Sequence, residues 1–151
     1  MSITYNLHLN LVKRKESSLS AIDIIEALIG AGWSLFSRNG LIIYTDVGDD
    51  DDFNFLSKSM SKSRYYDIVV KKQTNGETIA FAMFRSENNL RYRIDVIITP
   101  IFDVLISPDD ETRRMLSPDF NILDVNWYLV RTIPYLTNEK MIVESFDFSQ
   151  C

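Results

Sequence analysis

The chain has 151 residues, with 16 Lys or Arg against 21 Asp or Glu and a formal net charge of −5 at pH 7. This length suits one domain, and a content of 46% hydrophobic residues excludes an intrinsically disordered chain. The single Cys, at position 151, excludes a disulfide framework and a Cys-based zinc site, and the single His excludes most His-based metal sites.

The first thirty residues predict a strand followed by a helix. Apolar and polar residues alternate over residues 3–12, which is the pattern of a half-buried strand. Ser20, followed three positions later by Asp23, matches a capping box and predicts a helix over Ala21–Gly30. Gly30 and Gly32 are expected to end this helix, because glycine is common just past a helix C-terminus.

The next thirty residues predict a hairpin and a short helix. Asn39 and Gly40 lie between apolar runs at residues 33–37 and 41–47, and an Asn-Gly pair in this position favours a tight hairpin turn. The aspartates at 49–52, followed by Lys58 and Lys62, carry the charges that suit the two ends of a helix. We therefore expect a short helix after residue 52.

Three successive antiparallel strands are predicted in the centre of the chain, over residues 66–72, 78–85 and 90–99. Turns are expected at residues 74–76 and 88–89, which are rich in Asn and Gly. Pro100 ends the third strand, because proline cannot donate to the hydrogen-bond ladder of a sheet.

The C-terminal third predicts helices and a final strand. Residues 101–106 are expected to form a strand or an extended crossing segment. Ser107 and Pro108 precede an acidic stretch in the manner of a helix N-terminus, and residues 117–119 repeat the pattern. A helix over residues 123–133, ended or kinked by Pro134, would have a broad inner face formed by Leu123, Trp127, Tyr128 and Val130. Residues 141–148 predict the last strand.

These elements together predict a single α+β domain spanning residues 1–151. We expect a mostly antiparallel sheet of about five to seven strands, with two to four helices packed mainly on one face. The N-terminal sequence lacks the pattern of a signal peptide, and no apolar run approaches the ~18 residues of a membrane span. We therefore expect a cytoplasmic protein that does not bind membranes.

An acidic cluster is the most distinctive feature of the sequence, with five aspartates between residues 46 and 52. The spacing of an EF-hand calcium loop is absent, which leaves a solvated loop or a partner-binding surface as the main interpretations. A second acidic segment contains only Arg113 and Arg114 as opposite charges, and the two segments could converge into one negative surface that attracts a basic protein; its acidic residues are Asp103, Asp109, Asp110, Glu111, Asp119 and Asp124. Residues 109–111 are its densest part, here the second acidic stretch. The candidate partner-binding residues are Asp46, Asp49, Asp50, Asp51, Asp52, Phe53, Asp109, Asp110 and Glu111.

Other constellations admit both structural and functional interpretations. Arg91, Arg93 and Asp95 alternate with apolar residues and so share one side of a strand, where they could form ion pairs or an anion pocket. His8 lies on the polar face of the first strand and could act as a base only with an orienting carboxylate. Phosphate-binding, nucleophile-elbow and HExxH motifs are absent, so we expect no enzyme, no cofactor and no metal. The acidic charge disfavours binding of nucleic acids.

In size, acidity and lack of catalytic motifs the chain resembles the small immunity proteins that bacteria make against toxins, including those of contact-dependent growth inhibition systems. The two acidic stretches carry this resemblance, together with aromatic residues beside the first, namely Tyr44, Phe53 and Phe55. The resemblance implies one-to-one masking of a cognate toxin, often a nuclease with a basic cleft.

Two further functions stay open. One is a regulatory or adaptor domain that forms homo-oligomers or docks in a larger assembly, with the strand at residues 141–148 presenting an edge for pairing. The other is a small-ligand-binding protein or enzyme with a pocket on the sheet face that uses Arg91, Arg93 and His8.

Overall fold

A computed structural model describes residues 4–14, 18–117, 119 and 122–150. Their helices and strands run in the following order: β1 Tyr5–Lys13, α1 Ala21–Gly30, β2 Ile42–Tyr44, β3 Leu56–Lys58, α2 Lys62–Thr74, β4 Ile79–Glu87, β5 Leu90–Ile98, β6 Asp103–Pro108, β7 Met115–Ser117, β8 Ile122–Leu123, α3 Val125–Val130, α4 Ile133–Leu136 and β9 Met141–Gln150. The predicted α+β class is confirmed.

A seven-stranded antiparallel sheet forms the centre of the molecule, in the order β3-β2-β4-β5-β6-β1-β9, and β7 and β8 form a separate small sheet. One face, here the core face, carries the buried residues of a continuous row that includes Leu9, Val104 and Ile98. Helix residues such as Ile25 and Val69 belong to the same core. The opposite face, here the open face, carries partly exposed side chains on β1, β5 and β6, whereas Ala80, Ala82 and Phe84 of β4 are buried there. Among the described helices, none is both long and apolar enough to cross a membrane.

The predicted first strand and first helix are confirmed. Ser20 Oγ accepts a hydrogen bond from the Asp23 N–H at 3.3 Å, and the Asp23 carboxylate accepts from the Ser20 N–H at 2.9 Å, which completes the capping box. Gly32 follows the helix with a φ of +104°, and a Cβ there would lie 2.5 Å from the Arg85 guanidinium. The positive φ favours glycine, because other residues rarely adopt it, and a Cβ would also displace the end of the Arg85 side chain. Ile3, the start of the predicted strand, lies outside the described residues.

The predicted short helix after residue 52 and the predicted strand at residues 66–72 are wrong. Residues 56–58 form the edge strand β3, and α2 covers the segment that was expected to be extended. Apolar residues at 65, 66, 68, 69 and 70 fit a strand period as well as a helix period. Burial of Tyr65, Val69 and Lys72 on one helical stripe decides for the helix, which starts where Ser61 Oγ accepts from the Arg64 N–H at 3.1 Å.

The predicted hairpin at residues 33–47 forms with little strand. Gly40 donates to the Ser37 carbonyl at 2.9 Å, which closes the expected turn. Beside the turn, Phe36 and Ile42 form a single β-bridge. The strand that follows the turn, β2, spans only three residues. Strands β4 and β5 and the turn between them are confirmed, with Asn88 and Asn89 both at positive φ.

The helix start predicted at Ser107 and Pro108 is wrong, because β6 continues to Pro108, which lies opposite Ile94 of β5. Strand pairing with β5 therefore outweighs the local capping pattern. Of the second such pattern, Ser117 lies in β7 and Pro118 lies outside the described residues.

The helix predicted over residues 123–133 is divided into α3 and α4. At the break, Thr132 Oγ1 donates to the Tyr128 carbonyl at 2.8 Å. Pro134 lies in the first turn of α4, where a backbone N–H would have no hydrogen-bond partner within the helix, so the missing N–H of proline costs nothing there. Trp127 and Tyr128 are buried as expected, whereas Val130 is 46% exposed and does not belong to the inner face. Leu123 is buried but lies in β8. The final strand, β9, is confirmed.

An ion-pair network lies at the C-terminal end of β4. The Glu87 carboxylate accepts from Arg131 Nε at 2.7 Å and Nη2 at 3.1 Å, and it also accepts from Arg85. Hydrogen bonding by Arg131 is the largest cause that lowers the pKa of Glu87 to about 2; burial opposes it, and Arg85 adds to it. An unfolded Glu has a pKa near 4.5, so this stabilisation is complete above that pH and is lost as the pH falls towards 2.

Glu87→Gln is therefore expected to lower the free energy of unfolding by about 1–2 kcal/mol near neutral pH, a value reduced for solvent screening of a partly exposed pair. The difference from the wild type should shrink steadily as the pH falls below about 4.5. Urea titrations at a series of pH values measure it. Glu144→Gln, a matched change at an exposed position of β9, should shift stability by less than ~0.5 kcal/mol throughout. Equal pH profiles of the two variants would contradict the role of the network.

Candidate functional site

Residues 46–52, here the acidic loop, connect β2 to β3 at one end of the sheet. The backbone before the loop is fixed to β4, because the Thr45 N–H donates to the Ala80 carbonyl at 3.0 Å. Within the loop, the Gly48 N–H donates to the Glu77 carboxylate at 2.7 Å. The loop is thus attached to the segment that joins α2 to β4.

Buried Lys72 anchors the acidic loop through hydrogen bonds to its backbone. Its Nζ donates to the carbonyl oxygens of Asp46 at 2.7 Å and Asp49 at 2.6 Å, and to Glu77 Oε1 at 3.2 Å. The Lys72 side chain is 1% exposed, so all three bonds lie away from water. Burial favours the protonated form of Glu77, but hydrogen bonds from Asn75, Gly48 and Lys72 outweigh it and lower the pKa of this carboxyl. A buried ammonium with three oxygen partners holds the loop in one conformation.

The aspartates of the loop divide into two groups. The Asp49 carboxylate accepts from the N–H groups of Phe53 at 3.0 Å and Asn54 at 2.7 Å, and the Asp46 carboxylate accepts from the Val47 N–H at 2.8 Å. These two side chains therefore shape the backbone, and Phe53 is held at a φ of +51°. The remaining three are exposed and form no ion pair within the described part of the chain: Asp50, Asp51 and Asp52.

Aromatic residues accompany the three exposed carboxylates. Phe53 is half-buried, and Phe55 is 36% exposed. Tyr44 is buried, with its ring 5.5 Å from that of Tyr65, and burial raises the pKa of its hydroxyl. Of the aromatic anchors expected beside the acidic stretch, Tyr44 thus belongs to the core, and Phe55 offers apolar surface next to the charges.

The second acidic stretch lies at the opposite end of the sheet, so the two stretches do not form one negative surface. The Asp109 N–H donates to the Arg93 carbonyl, and Arg93 lies opposite Phe84 of β4. The acidic loop contacts β4 at Ala80. Four residues of strand separate these two positions, a distance of about 13 Å.

Two members of the second stretch have local partners. Asp110 forms an ion pair with Arg113 at 3.1 Å, and the Asp109 carboxylate accepts from the Glu111 N–H at 3.4 Å. Glu111 itself is exposed and, within the described part of the chain, has no ion-pair partner. The first stretch therefore carries more unpaired negative charge than the second.

Arg91 and Arg93 line a pocket of about 460 Å³ at the same end of the open face as the second stretch. Their guanidinium groups lie 5.1 and 6.0 Å from the centre of the Phe84 ring. Arg91 donates to the Phe36 carbonyl at 2.6 Å, and burial followed by the proximity of Arg38 lowers the pKa of its guanidinium. Arg38, which the sequence did not indicate, is a third arginine in this lining.

The pocket is of mixed charge. Asp109 and Glu111 line it beside the three arginines, and Arg93 is already paired with Asp95 at 2.9 Å. The opposite charges in the lining largely cancel, so the pocket has little net positive charge with which to attract an anion. The Arg93–Asp95 contact matches the ion-pair interpretation of this strand face. Asp67 lies on α2 and is not part of that face.

His8 does not line this pocket. It lies on β1, two strands away from β5, with Nε2 3.8 Å from Asp103 and Nδ1 3.6 Å from Asp147. Two carboxylates near one imidazole could orient it, but no substrate cavity adjoins it among the described pockets. In the part of the chain that the structure describes, no group of three or more acidic, His or Cys side chains is arranged to hold a metal ion.

Sequence reasoning missed Lys72 and Glu77, the two residues that position the acidic loop. The signal for Lys72 was its place seven positions after Tyr65 on the buried stripe of a helix, which the strand prediction concealed. Comparison of the chain with protein-family models, curated proteins and solved structures gives no match.

Proposed function

We propose that this chain is a protein-binding module that masks a basic partner, and specifically that it is an immunity protein that neutralises a cognate toxin in the cytoplasm. The observation that supports this is a fixed loop with three exposed carboxylates and no cation paired to them in the described structure. The residues proposed to meet the partner are Asp50, Asp51 and Asp52, with Phe55 beside them.

The anchoring of the loop gives the proposal its physical basis. A loop that is already held in one conformation loses little entropy on binding, so its charges contribute more to affinity. Three like charges close together repel one another in the free protein, and a cationic partner surface relieves that repulsion. Such a surface also accelerates encounter with a basic protein, an effect that salt screens.

The proposal is tested by capture from the native cells with three forms of the chain. The first is the wild type and the second is the triple variant D50N/D51N/D52N. The third, a matched control, carries the same change of charge at exposed positions elsewhere: D67N/D119N/E139Q. The wild type and the control should retain one basic protein in a one-to-one complex, and that protein should arrest growth when it is expressed without this chain.

The triple variant is expected to associate with this partner at least about ten times more slowly at low salt, and the difference should vanish near 0.5 M salt. Stopped-flow or surface-binding kinetics measure the association rate constant. Equal rate constants for the triple variant and the control would rule out the acidic loop as the binding surface. A captured partner that leaves growth unaffected would rule out toxin neutralisation.

A further inference from the structure

Strand β9 leaves a long hydrogen-bonding edge open. It spans ten residues and is the last strand of the sheet, paired only with β1 among the described strands. The other edge strand, β3, spans three residues. An open edge presents a row of N–H and C=O groups that another strand can pair with, and a longer edge offers more such groups.

The outer part of β9 also exposes aromatic side chains. Phe146 is 52% exposed and Phe148 is 36% exposed, and both lie on the core face, opposite Leu9 and Leu7. The Phe148 ring stacks on Tyr5 with 6.0 Å between ring centres. A bulge near Ser145 separates this part from the rest of β9, and residues 145–150 pair in unbroken register with β1. They contain no Pro, Lys or Arg, residues that often protect open edges.

We propose that residues 145–150 of β9 pair antiparallel with the same segment of a second copy of this chain. An antiparallel pair of identical strands has a twofold axis, so the β9 edges of two copies can satisfy each other's backbone hydrogen bonds without a different partner. With that axis perpendicular to the sheet, each side chain stays on its own face. A residue then faces either its own copy or a residue an even number of positions away.

Charge selects the register of this pairing. An axis at Asp147 sets two carboxylates directly opposite each other, about 5 Å apart at Cβ, which is unfavourable. An axis at Ser145 would coincide with the bulge. An axis at Phe146 would set Phe148 opposite Glu144, across the same bulge. An axis at Ser149 or Gln150 would leave three or fewer described residues paired. The remaining axis lies at Phe148 and sets this phenylalanine against the same residue of the second copy, a stabilising cross-strand pair. This register leaves the two Asp147 side chains diagonal, about 7–8 Å apart.

The dimer is concentration-dependent and is strengthened by salt. One short strand pair with two phenylalanines per copy covers less than the ~800 Å² per partner of a standard interface, so association is weak. Each chain carries a net charge of −5, and the Asp147 carboxylates approach each other, so screening of these like charges favours the dimer. This salt response is opposite to that expected for binding at the acidic loop.

Sedimentation velocity over about 1–500 µM protein tests the proposal by mass action. The wild type should move from the mass of one chain to that of two, at lower concentration in high salt. F146K/F148K should keep the mass of one chain throughout. The control I101K/L116K places the same change at exposed positions away from β9 and should dimerise like the wild type. D50N/D51N/D52N should also dimerise, which separates this surface from the acidic loop.

Cross-linking identifies the register and does not depend on a lysine being tolerated. In a C151S background, F148C should form a disulfide-linked dimer under mild oxidation, whereas F146C, which faces position 150 of the second copy, and I101C should not. A wild type that keeps the mass of one chain at every concentration would overturn the proposal. So would F146K/F148K dimerising as the wild type does, or a failure of F148C to cross-link.

Discussion

Replacement of Lys72 with Met is expected to lower the free energy of unfolding by about 3–5 kcal/mol, because removing one partner of a buried ion pair leaves the other unpaired. Methionine fills the space of the lysine stem but donates no hydrogen bond. The carbonyl oxygens of Asp46 and Asp49 then lose their donor, and the Glu77 carboxylate loses its buried cation. Urea unfolding followed by circular dichroism measures the change.

Lys71→Met provides the matched control for Lys72. Lys71 is the preceding residue of α2 and is exposed, so its replacement should shift stability by less than ~0.5 kcal/mol. In the Lys72 variant, amide exchange in the acidic loop should also accelerate, since the loop loses its anchor. If the two lysine variants were equally stable, the loop carbonyls would have to reach water without cost, and Lys72 would not be the anchor.

Replacement of Trp127 with Ala is expected to cost about 3–5 kcal/mol, the range for deleting a buried aromatic side chain. The ring lies in a cluster, with Tyr92 at 4.6 Å, Tyr128 at 4.9 Å and Trp33 at 6.2 Å between ring centres. The Arg131 guanidinium lies 4.4 Å from the ring centre, so a cation–π contact is lost as well. Alanine leaves a cavity that these partly fixed neighbours cannot fill.

Val130→Ala is the control for Trp127, because Val130 is on the same helix, α3, but is 46% exposed. Its effect should stay below ~0.5 kcal/mol. Trp33 remains as a fluorescent reporter in both variants, so the same urea titration can be read by fluorescence. A small effect of Trp127→Ala would mean that α3 and α4 repack over the sheet, and that the cluster does not fix their position.

The candidate site was only partly accessible to sequence reasoning. The density of aspartates at residues 46–52 is visible in the chain, and it identified the acidic loop. Which of them are free to meet a partner depends on the fold of the loop, in which N–H groups one to five residues further along occupy Asp46 and Asp49. That fold is held by Lys72 and Glu77, which are distant in the chain. Whether the second acidic stretch joins the first depends on strand order and register, which separate the two by four residues along β4.

Local patterns alone were enough for the elements whose signal has one interpretation. The alternation of β1, the capping box of α1 and the Asn-Asn turn between β4 and β5 each fit a single local structure. The antiparallel α+β class followed from such elements. These interactions lie within a few residues of one another, so the sequence by itself determines them.

Where a segment fitted two local structures, tertiary contacts decided which of them formed. Residues 65–70 suit a helix and a strand, and only burial of Tyr65, Val69 and Lys72 against the rest of the molecule selects α2. Ser107 and Pro108 suit a helix start, but pairing with β5 keeps them in β6. In both cases the deciding free energy comes from residues far away in the chain, through buried apolar surface and sheet hydrogen bonds, and a local pattern does not contain it.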